Sequence, residues 1–477
     1  METTAQARVI DAVRARFGAR AAITDPDLLT PWQSDWRGRY HGRAAAMLMP
    51  ADTAQVAAMV ALAAAHHVPL VPQGGNTGMA GGATPSADGQ ALILSTRRMA
   101  AIRRIDADAN LAVAEAGVVL DDLHQAVRAV GRRFPLTLGA RGSATIGGLV
   151  STNAGGTQVL RFGTMRALVA GVEAVLPDGS VHDGLAALKK DNRGYDLKEL
   201  LVGAEGTLGI VTAAALKLVP AVAARAVAWA GVADPADALA LLRRMEAATD
   251  RIESFEILPH SCLQAVLDHL PAARAPLAGA QAWHVLIEAT SMAAGEEAPQ
   301  ALLERLLAPA MEAGLVADAV IAANEAQAEA FWLLRDSISA AERAQGPALQ
   351  HDISVPVEAM PRFMVEAAAA CEARFPGVHA SGFGHLGDGN VHFHVRAPAG
   401  ADADAWYAAE TGRITPFVHD LVVAAGGSIS AEHGIGQMKR DELARLSSPA
   451  RMAALRAIKA AFDPDGIMNP GKIVALA

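Results

Sequence analysis

The stretch SGFGHLGDGNVHFHV, residues 381–395, places His385, His392 and His394 around a tight, acidic, glycine-containing turn. Two apart on a strand, His392 and His394 project from one face, and the turn LGDGN can return His385 beside them. Further along, ISAEHGIG supplies Glu432 and His433, again before a glycine turn. A lone histidine is ordinarily a surface residue or a hydrogen-bonded core residue. Four histidines and a carboxylate among glycine turns are a different pattern: two imidazoles plus a carboxylate suit a borderline divalent ion, Zn²⁺ or Mn²⁺, with positions left open for substrate. Adjacent residues on an extended segment point opposite ways. With Glu432 toward an ion, His433 would face the reaction volume, where an imidazole of ordinary pKa about 6.5 suits a general base.

A second chemistry needs almost no side chains. PQGGNTGMAGG carries five glycines between Gly74 and Gly82, directly after the apolar run VPLV. Such a loop can turn its N–H groups toward an anion and let a phosphate approach closely. It is neither a Walker A loop nor a G-x-G-x-x-G fingerprint, and alone it reads equally well as a surface turn. LGARGSATIGGLVSTNAGG, residues 138–156, is almost all Gly, Ala, Ser and Thr, so its main chain can lie flat against a large planar ligand. VGAEGTLGIVT, residues 202–212, repeats the device. Three such segments in one region imply a ligand cradle.

These residues must be held by larger elements. In residues 50–71, Asp52 with Gln55 three residues on reads as a capping box opening an alanine-rich helix, followed by a short apolar strand. ADGQALILS and NLAVAEAGV read as further strands and LDDLHQAVRAVG as a helix, which gives residues 1–220 an α/β texture. After Pro220, long helices such as PADALALLRRMEAATD alternate with apolar runs such as AWHVLIEAT, and a second domain is expected over 221–425. Residues 426–477, ending in FDPDGIMNPGKI, are expected to pack back on the first domain. A net charge of −9 argues against a nucleic-acid partner. No run approaches the roughly 18 apolar residues of a membrane span, so an integral membrane protein is not expected. The N-terminus lacks the apolar core of a secretory signal, and a cytoplasmic location is expected. Cys262 and Cys371 are too few for a disulfide framework or a thiolate site, so any metal must use nitrogen and oxygen ligands.

Six ordered motifs carry a resemblance. VPQGGNTGMAGG, TIGGLVSTNAGGTQVLRFGTMRALVAGVEAVLPDGS and LVGAEGTLGIVTAAALKLVP resemble the FAD-binding domain of the vanillyl-alcohol oxidase and p-cresol methylhydroxylase superfamily. With SGFGHLGDGNVHFHV, ISAEHGIG and FDPDGIMNPGKI, they resemble its D-2-hydroxy acid dehydrogenase branch, over about residues 30–475. The resemblance implies an α+β architecture: a PCMH-type FAD-binding domain of two α/β subdomains, a cap domain with an antiparallel sheet flanked by helices, and a C-terminal helical tail. It implies FAD on Pro72, Gly74, Gly75, Asn76, Thr77 and Gly78 at the pyrophosphate. Gly142, Ser143, Thr145, Gly147, Gly148, Asn153 and Gly155 would lie along the flavin and ribityl chain, Glu205, Gly206, Gly209 and Ile210 would complete the pocket, and Asn469 would approach from the tail. It further implies a divalent metal, Zn before Mn, on His385, His392 and Glu432, with His433 as catalytic base. Arg335 falls on the substrate-binding arginine of a WxLR segment, with Ser339, Asn390, Gln350 and His394 completing the substrate site. The implied reaction transfers a hydride from C2 of a D-2-hydroxy acid to flavin N5, giving the 2-oxo acid. The D configuration rests on the resemblance alone, and so does an electron acceptor such as an electron-transfer flavoprotein or a quinone. A homodimer is a further expectation.

The chain departs from the pattern of 2-hydroxyglutarate-oxidising relatives in Gln350, where a lysine is expected, and His394, where an asparagine is expected. Glutamine offers a distal carboxylate only a neutral hydrogen bond, weaker by about 1–3 kcal/mol than a charge-assisted one. His351 and protonated His394 are alternative sources of positive charge. D-lactate and longer monoacids are therefore expected to match or exceed D-2-hydroxyglutarate. Two rival readings remain at this point: a zinc-dependent hydrolase with a phosphate-binding glycine loop, and a noncatalytic flavin-carrying subunit of a larger complex.

Overall fold

The computed structural model describes residues 4–293 and 295–475. The chain divides into two units, Met1–Gly156 with Gly163–Ala221 and Glu432–Ala477, and Thr157–Phe162 with Val222–Ala431. Nothing in the sequence signals that Thr157–Phe162 leaves its surroundings. It belongs with the second unit because Ser254 donates to the Thr157 carbonyl at 2.8 Å and Arg161 pairs with buried Glu253 at 2.9 Å.

The first unit holds two main sheets, beside a two-stranded pairing of Arg132–Arg133 with Val219–Pro220. In the smaller, β1 (Ala22–Ile23), β2 (Met47–Leu48), β3 (Leu70–Gln73) and β4 (Leu92–Ser95) lie in the order β1-β2-β4-β3, with β4 parallel to both β2 and β3. Strands running parallel in one sheet need crossover connections, and helix α1 (Thr53–Ala65) supplies the one from β2 to β3, which lie on either side of β4. Asp52 caps α1 by accepting the Gln55 N–H at 2.8 Å, while the Gln55 side chain reaches back to the Ala51 N–H at 3.0 Å. Its Val56, Met59, Val60 and Ala63 are buried with Leu70, Leu92 and Leu94. The larger sheet comprises β5 (Ile102–Asp106), β6 (Leu111–Glu115), β7 (Val169–Val175), β8 (Val181–Asp183) and β9 (Ile210–Lys217), antiparallel in the order β5-β6-β9-β7-β8. Central β9 is buried from Ile210 to Leu216, which accounts for a continuous apolar run rather than an alternating one.

The second unit is built on an antiparallel sheet whose described strands are β10 (Ala224–Val232), β11 (Ile252–Pro259), β12 (Trp283–Ser291), β13 (Asp318–Ile321), β14 (Ala348–Ser354), β15 (His379–His385) and β16 (Asn390–Arg396). Their order is β13-β10-β12-β11-β15-β16-β14. One face is mostly apolar: Phe255, Ile257, Val285, Ile287, Ile353, Val391, Phe393 and Val395 lie in one cluster. That face takes the buried sides of α2 (Pro235–Ala248), α3 (Pro299–Glu312), α4 (Met360–Arg374) and α5 (Ala403–Ala424). The opposite face begins apolar, with Trp229, Leu258, Leu286 and Phe383 under α6 (His260–His269), α7 (Glu325–Asp336) and α8 (Ile338–Ala344). Toward β15 and β16 it becomes polar, because the alternation of NVHFHVR sends Asn390, His392 and His394 to this side.

Candidate functional site

The cradle of the first unit is defined by how closely its segments approach. A Cβ added to Gly75 would lie 1.8 Å from the Ser143 carbonyl oxygen, and one on Gly74 would lie 2.1 Å from Thr145 Oγ1. Only glycine lets the first loop sit on the second at this distance. Gly147 meets Ala116 and Gly209 meets the Val175 carbonyl in the same way, at 2.6 and 2.9 Å from the added atom. The tail closes the arrangement: Asn469 Nδ2 donates to the carbonyls of Gly82 at 2.9 Å and Glu205 at 2.7 Å. The Glu205 carboxylate accepts the N–H groups of Ile435 and Gly436 at 2.7 and 2.8 Å. Burial pushes the Glu205 pKa up, against these two N–H groups and the nearby charges of Lys439 and Lys472.

Asn76, Asn153, Glu205 and Asn469 all have φ between 42° and 55°, a left-handed conformation that side chains rarely adopt. Local bonds hold two of them: Asn76 Nδ2 donates to the Ser34 carbonyl at 2.8 Å, and Asn153 Oδ1 accepts the Arg166 N–H at 2.9 Å. These four are among the seven described non-glycine residues with such a backbone, and strained backbone gathered in expected cofactor residues is the pattern of a binding site. Of the remaining expected residues, Pro72 lies in β3 against Gly206, Thr77 and Gly148 are half-buried, and Gly155 is buried. Gly78, Gly142 and Ser143 are exposed, and Ile210 places its side chain in the core beside Leu70 rather than on a free surface. Gln73 Oε1, Thr145 Oγ1 and Asn469 Oδ1 are buried without a hydrogen-bond partner among the described residues. Each such atom costs about 1–3 kcal/mol if nothing pairs with it. A small-residue cradle with unpaired polar atoms on three of its segments fits a large polar cofactor of the FAD kind.

On the polar sheet face of the second unit, cross-strand register sets three successive rows. Glu256, His385, Asn390 and Ser354 form the first, Phe383, His392 and Asp352 the second, and Ser381, His394 and Gln350 the third. Glu256 is 1% exposed and grips two groups at once: its Oε1 accepts His385 Nδ1 at 2.6 Å and its Oε2 accepts Arg335 Nε at 2.7 Å. Burial alone would raise the Glu256 pKa, but the charges of His385 and Arg335 hold it below the usual carboxylate value. With Nδ1 engaged, His385 presents Nε2, the arrangement in which a carboxylate orients a metal-binding imidazole. The His385 and His392 ring centroids are 5.4 Å apart, and His392 Nδ1 lies 3.9 Å from Asp352 Oδ1. Asn390 Nδ2 donates to Asp352 Oδ1 at 3.0 Å and to the Ile353 carbonyl at 2.9 Å.

Arg335, 8% exposed, sits over the Phe383 ring at 5.2 Å. Its Nε is committed to Glu256, and among the described residues its terminal amino groups carry no other hydrogen bond. A guanidinium fixed by Nε with its fork end available is suited to a carboxylate ligand. Ser339, half-buried, follows four residues later on α8.

The structure corrects three expectations. The turn brings together two imidazoles, not three: Nδ1 of His394 pairs with buried Glu342 on α8. His351 faces the other way, bonding the Phe393 carbonyl at 3.1 Å and Thr415 at 3.2 Å, and adds no charge to these rows. Ala431–His433 is a series of bends, so the alternation of an extended segment does not assign opposite directions to Glu432 and His433. Both are half-buried and follow Ser428, which bridges to Ser354 beside Asn390. Glu256, Asp352 and Glu342 were not anticipated. Their one sequence signal is a carboxylate at a core-facing position of an otherwise apolar strand or helix, as in SFEIL.

Residues 44–184 match the family described as FAD binding domain, and residues 222–473 match FAD linked oxidases, C-terminal domain. The chain is 36% identical over 460 residues to a mitochondrial D-2-hydroxyglutarate dehydrogenase of Arabidopsis thaliana, covering 96% of this chain and 80% of that one. It is 37% identical over 451 residues to a D-2-hydroxyglutarate dehydrogenase of Xanthomonas citri pv. viticola, covering 94% and 93%. In fold it is similar to p-cresol methylhydroxylase with substrate bound, at TM-score 0.73 and 17% identity over 98% of this chain and 96% of that one. Fold, cradle and matches define an FAD-dependent oxidoreductase acting on a CH–OH group. The chain belongs to the FAD-linked oxidases, in their D-2-hydroxy acid dehydrogenase branch.

Proposed function

We propose that the protein oxidises a D-2-hydroxy acid to the 2-oxo acid, with FAD held on the cradle of the first unit and a divalent metal, Zn²⁺ before Mn²⁺, held by His385, His392 and Glu432. The observation that carries this reading is the double grip of Glu256, which orients one metal-type imidazole and fixes one carboxylate-type guanidinium at 2.6 and 2.7 Å. In this reading Arg335 binds the substrate carboxylate through its fork end and Ser339 and Asn390 bound the same space. His433 accepts the hydroxyl proton. FAD, when bound, supplies the hydride acceptor, and the metal neutralises charge on the substrate hydroxyl and carboxylate oxygens. The relatives are named for D-2-hydroxyglutarate. Gln350 nevertheless offers a neutral donor, its Nε2 buried without a partner among the described residues, so a monoacid is expected to serve at least as well.

The test is anaerobic reduction of the bound flavin by a panel of D- and L-2-hydroxy acids, followed by absorbance. Bleaching by D-acids supports the reading. A colourless protein that FAD does not activate sinks it and returns the hydrolase reading. Glu432→Gln should lose metal and turnover together with flavin retained, whereas His433→Ala should keep metal and lose about 10²–10⁴-fold in kcat.

A further inference from the structure

Of the third row of the polar face, next to the two imidazoles, the reading above uses only Gln350. The row consists of Ser381, His394 and Gln350, and α8 lowers the carboxylate of Glu342 onto it. Glu342 is 6% exposed and collects Nδ1 of His394, the Ser381 hydroxyl at 3.1 Å and the Cys262 thiol at 3.6 Å. Arg335, Ser339 and Glu342 succeed one another at spacings of four and three, so they share one side of the helical stretch laid on the sheet. A substrate headed by Arg335 and the imidazole pair therefore has this row within reach of its tail. His394 and Glu342 satisfy each other, so the row presents no net positive charge to a second carboxylate. Gln350 adds only a neutral donor. Arg396, one row further on the same face, donates to the neutral side-chain oxygen of Gln345 and keeps its charge.

We propose that Glu342 is a specificity-determining residue that selects 2-hydroxy acids with an uncharged tail against those with a second, distal carboxylate. The proposal rests on the functional reading above and deepens it. A distal carboxylate entering this row would stand directly beside the carboxylate of Glu342, with the guanidinium of Arg396 a row further from the Arg335 end. A hydroxyl, amide or alkyl tail meets no such opposition, and an amide or hydroxyl oxygen can accept from Gln350.

Two measurements test this. On the unaltered flavin-loaded enzyme, kcat/KM is compared for D-2-hydroxyglutarate and its 5-amide, which differ only in distal charge. The amide should be favoured by at least tenfold, mainly through KM. A diacid favoured over its amide overturns the proposal, and equal values do so too. If neither compound nor any 2-hydroxy acid reduces the flavin, the functional reading has failed and the inference falls with it. In the second measurement, Glu342→Gln should raise the diacid-to-amide ratio at least tenfold, and Glu342→Asp, which keeps the charge, should leave it near the original value. An unchanged ratio in Glu342→Gln, or the same rise in both variants, means that the residue acts through packing and overturns the assignment. Should Glu342→Gln not retain flavin, the first measurement decides alone.

Discussion

In the first unit seven described non-glycine residues take left-handed backbone, four of them expected cofactor residues, and two loops meet so closely that Gly75 has no room for a methyl group. In the second unit the candidate site is a set of buried carboxylates, each already gripping an imidazole or a guanidinium. The cradle is shaped by main chain and by the absence of side chains, and the sheet face by side chains that a strand register delivers two residues at a time. The difference teaches what each region tolerates. A cradle of backbone is sensitive to volume and indifferent to charge, while the rows on the sheet are sensitive to charge even where volume is kept.

The sharpest way to break this comparison is a methyl group. Gly75→Ala should abolish FAD retention, with flavin per chain falling by two orders of magnitude or more, because the added atom would sit 1.8 Å from a carbonyl oxygen that the loop cannot move cheaply. Gly78→Ala, where an added Cβ meets nothing within 4 Å, should keep its flavin. Equal loss in both would show that the cradle does not depend on close approach. Next in size is an isosteric change on the sheet. Glu256→Gln preserves volume and removes the charge that His385 and Arg335 share, so metal affinity should fall about 10–100-fold. Titration with Zn²⁺ against a competing chelator reads this, and flavin content should not change. The smallest effect concerns acid. His284 is buried, its Nδ1 accepting the Trp229 indole N–H at 3.1 Å and its Nε2 facing His260 at 3.2 Å. Burial, then the charge of His260, pushes its pKa down from 6.5 to about 4. The folded form is therefore reluctant to take a proton that the unfolded chain accepts. Its contribution is complete above about pH 6.5 and is lost as pH falls toward 4, amounting to about 2 kcal/mol at pH 5. Denaturation followed by tryptophan fluorescence should show this slope, and His284→Gln, which keeps an acceptor for Trp229 without titrating, should flatten it.

Much of this was legible in the sequence because it was written in local patterns. The alternation in NVHFHVR, the capping residues Asp52 and Gln55 and the small-residue runs each dictate their own geometry within a few residues. Glu256, Asp352 and Glu342 were not legible, because what makes them matter is a partner 129, 40 or 52 residues away across a sheet. The same holds for the third imidazole. The spacing of His392 and His394 puts both on one face, but only tertiary packing shows that α8 brings a carboxylate to one of them. The opposite directions expected of Glu432 and His433 lack their basis for a local reason: the residues Ala431–His433 bend, and the two-residue period of a strand does not govern a bend.

The hydrogen bonds from Asn469 to Gly82 and Glu205, and from Ile435 and Gly436 to the Glu205 side chain, have a consequence for how the protein is made. The loops they fasten are synthesised well before the groups that fasten them, which follow 230 to 387 residues later. A nascent chain carrying only the glycine loops has no closed seat for a flavin, so cofactor capture waits for the segment from Ile435 to Asn469, and the order of translation separates folding of the sheets from loading of the enzyme.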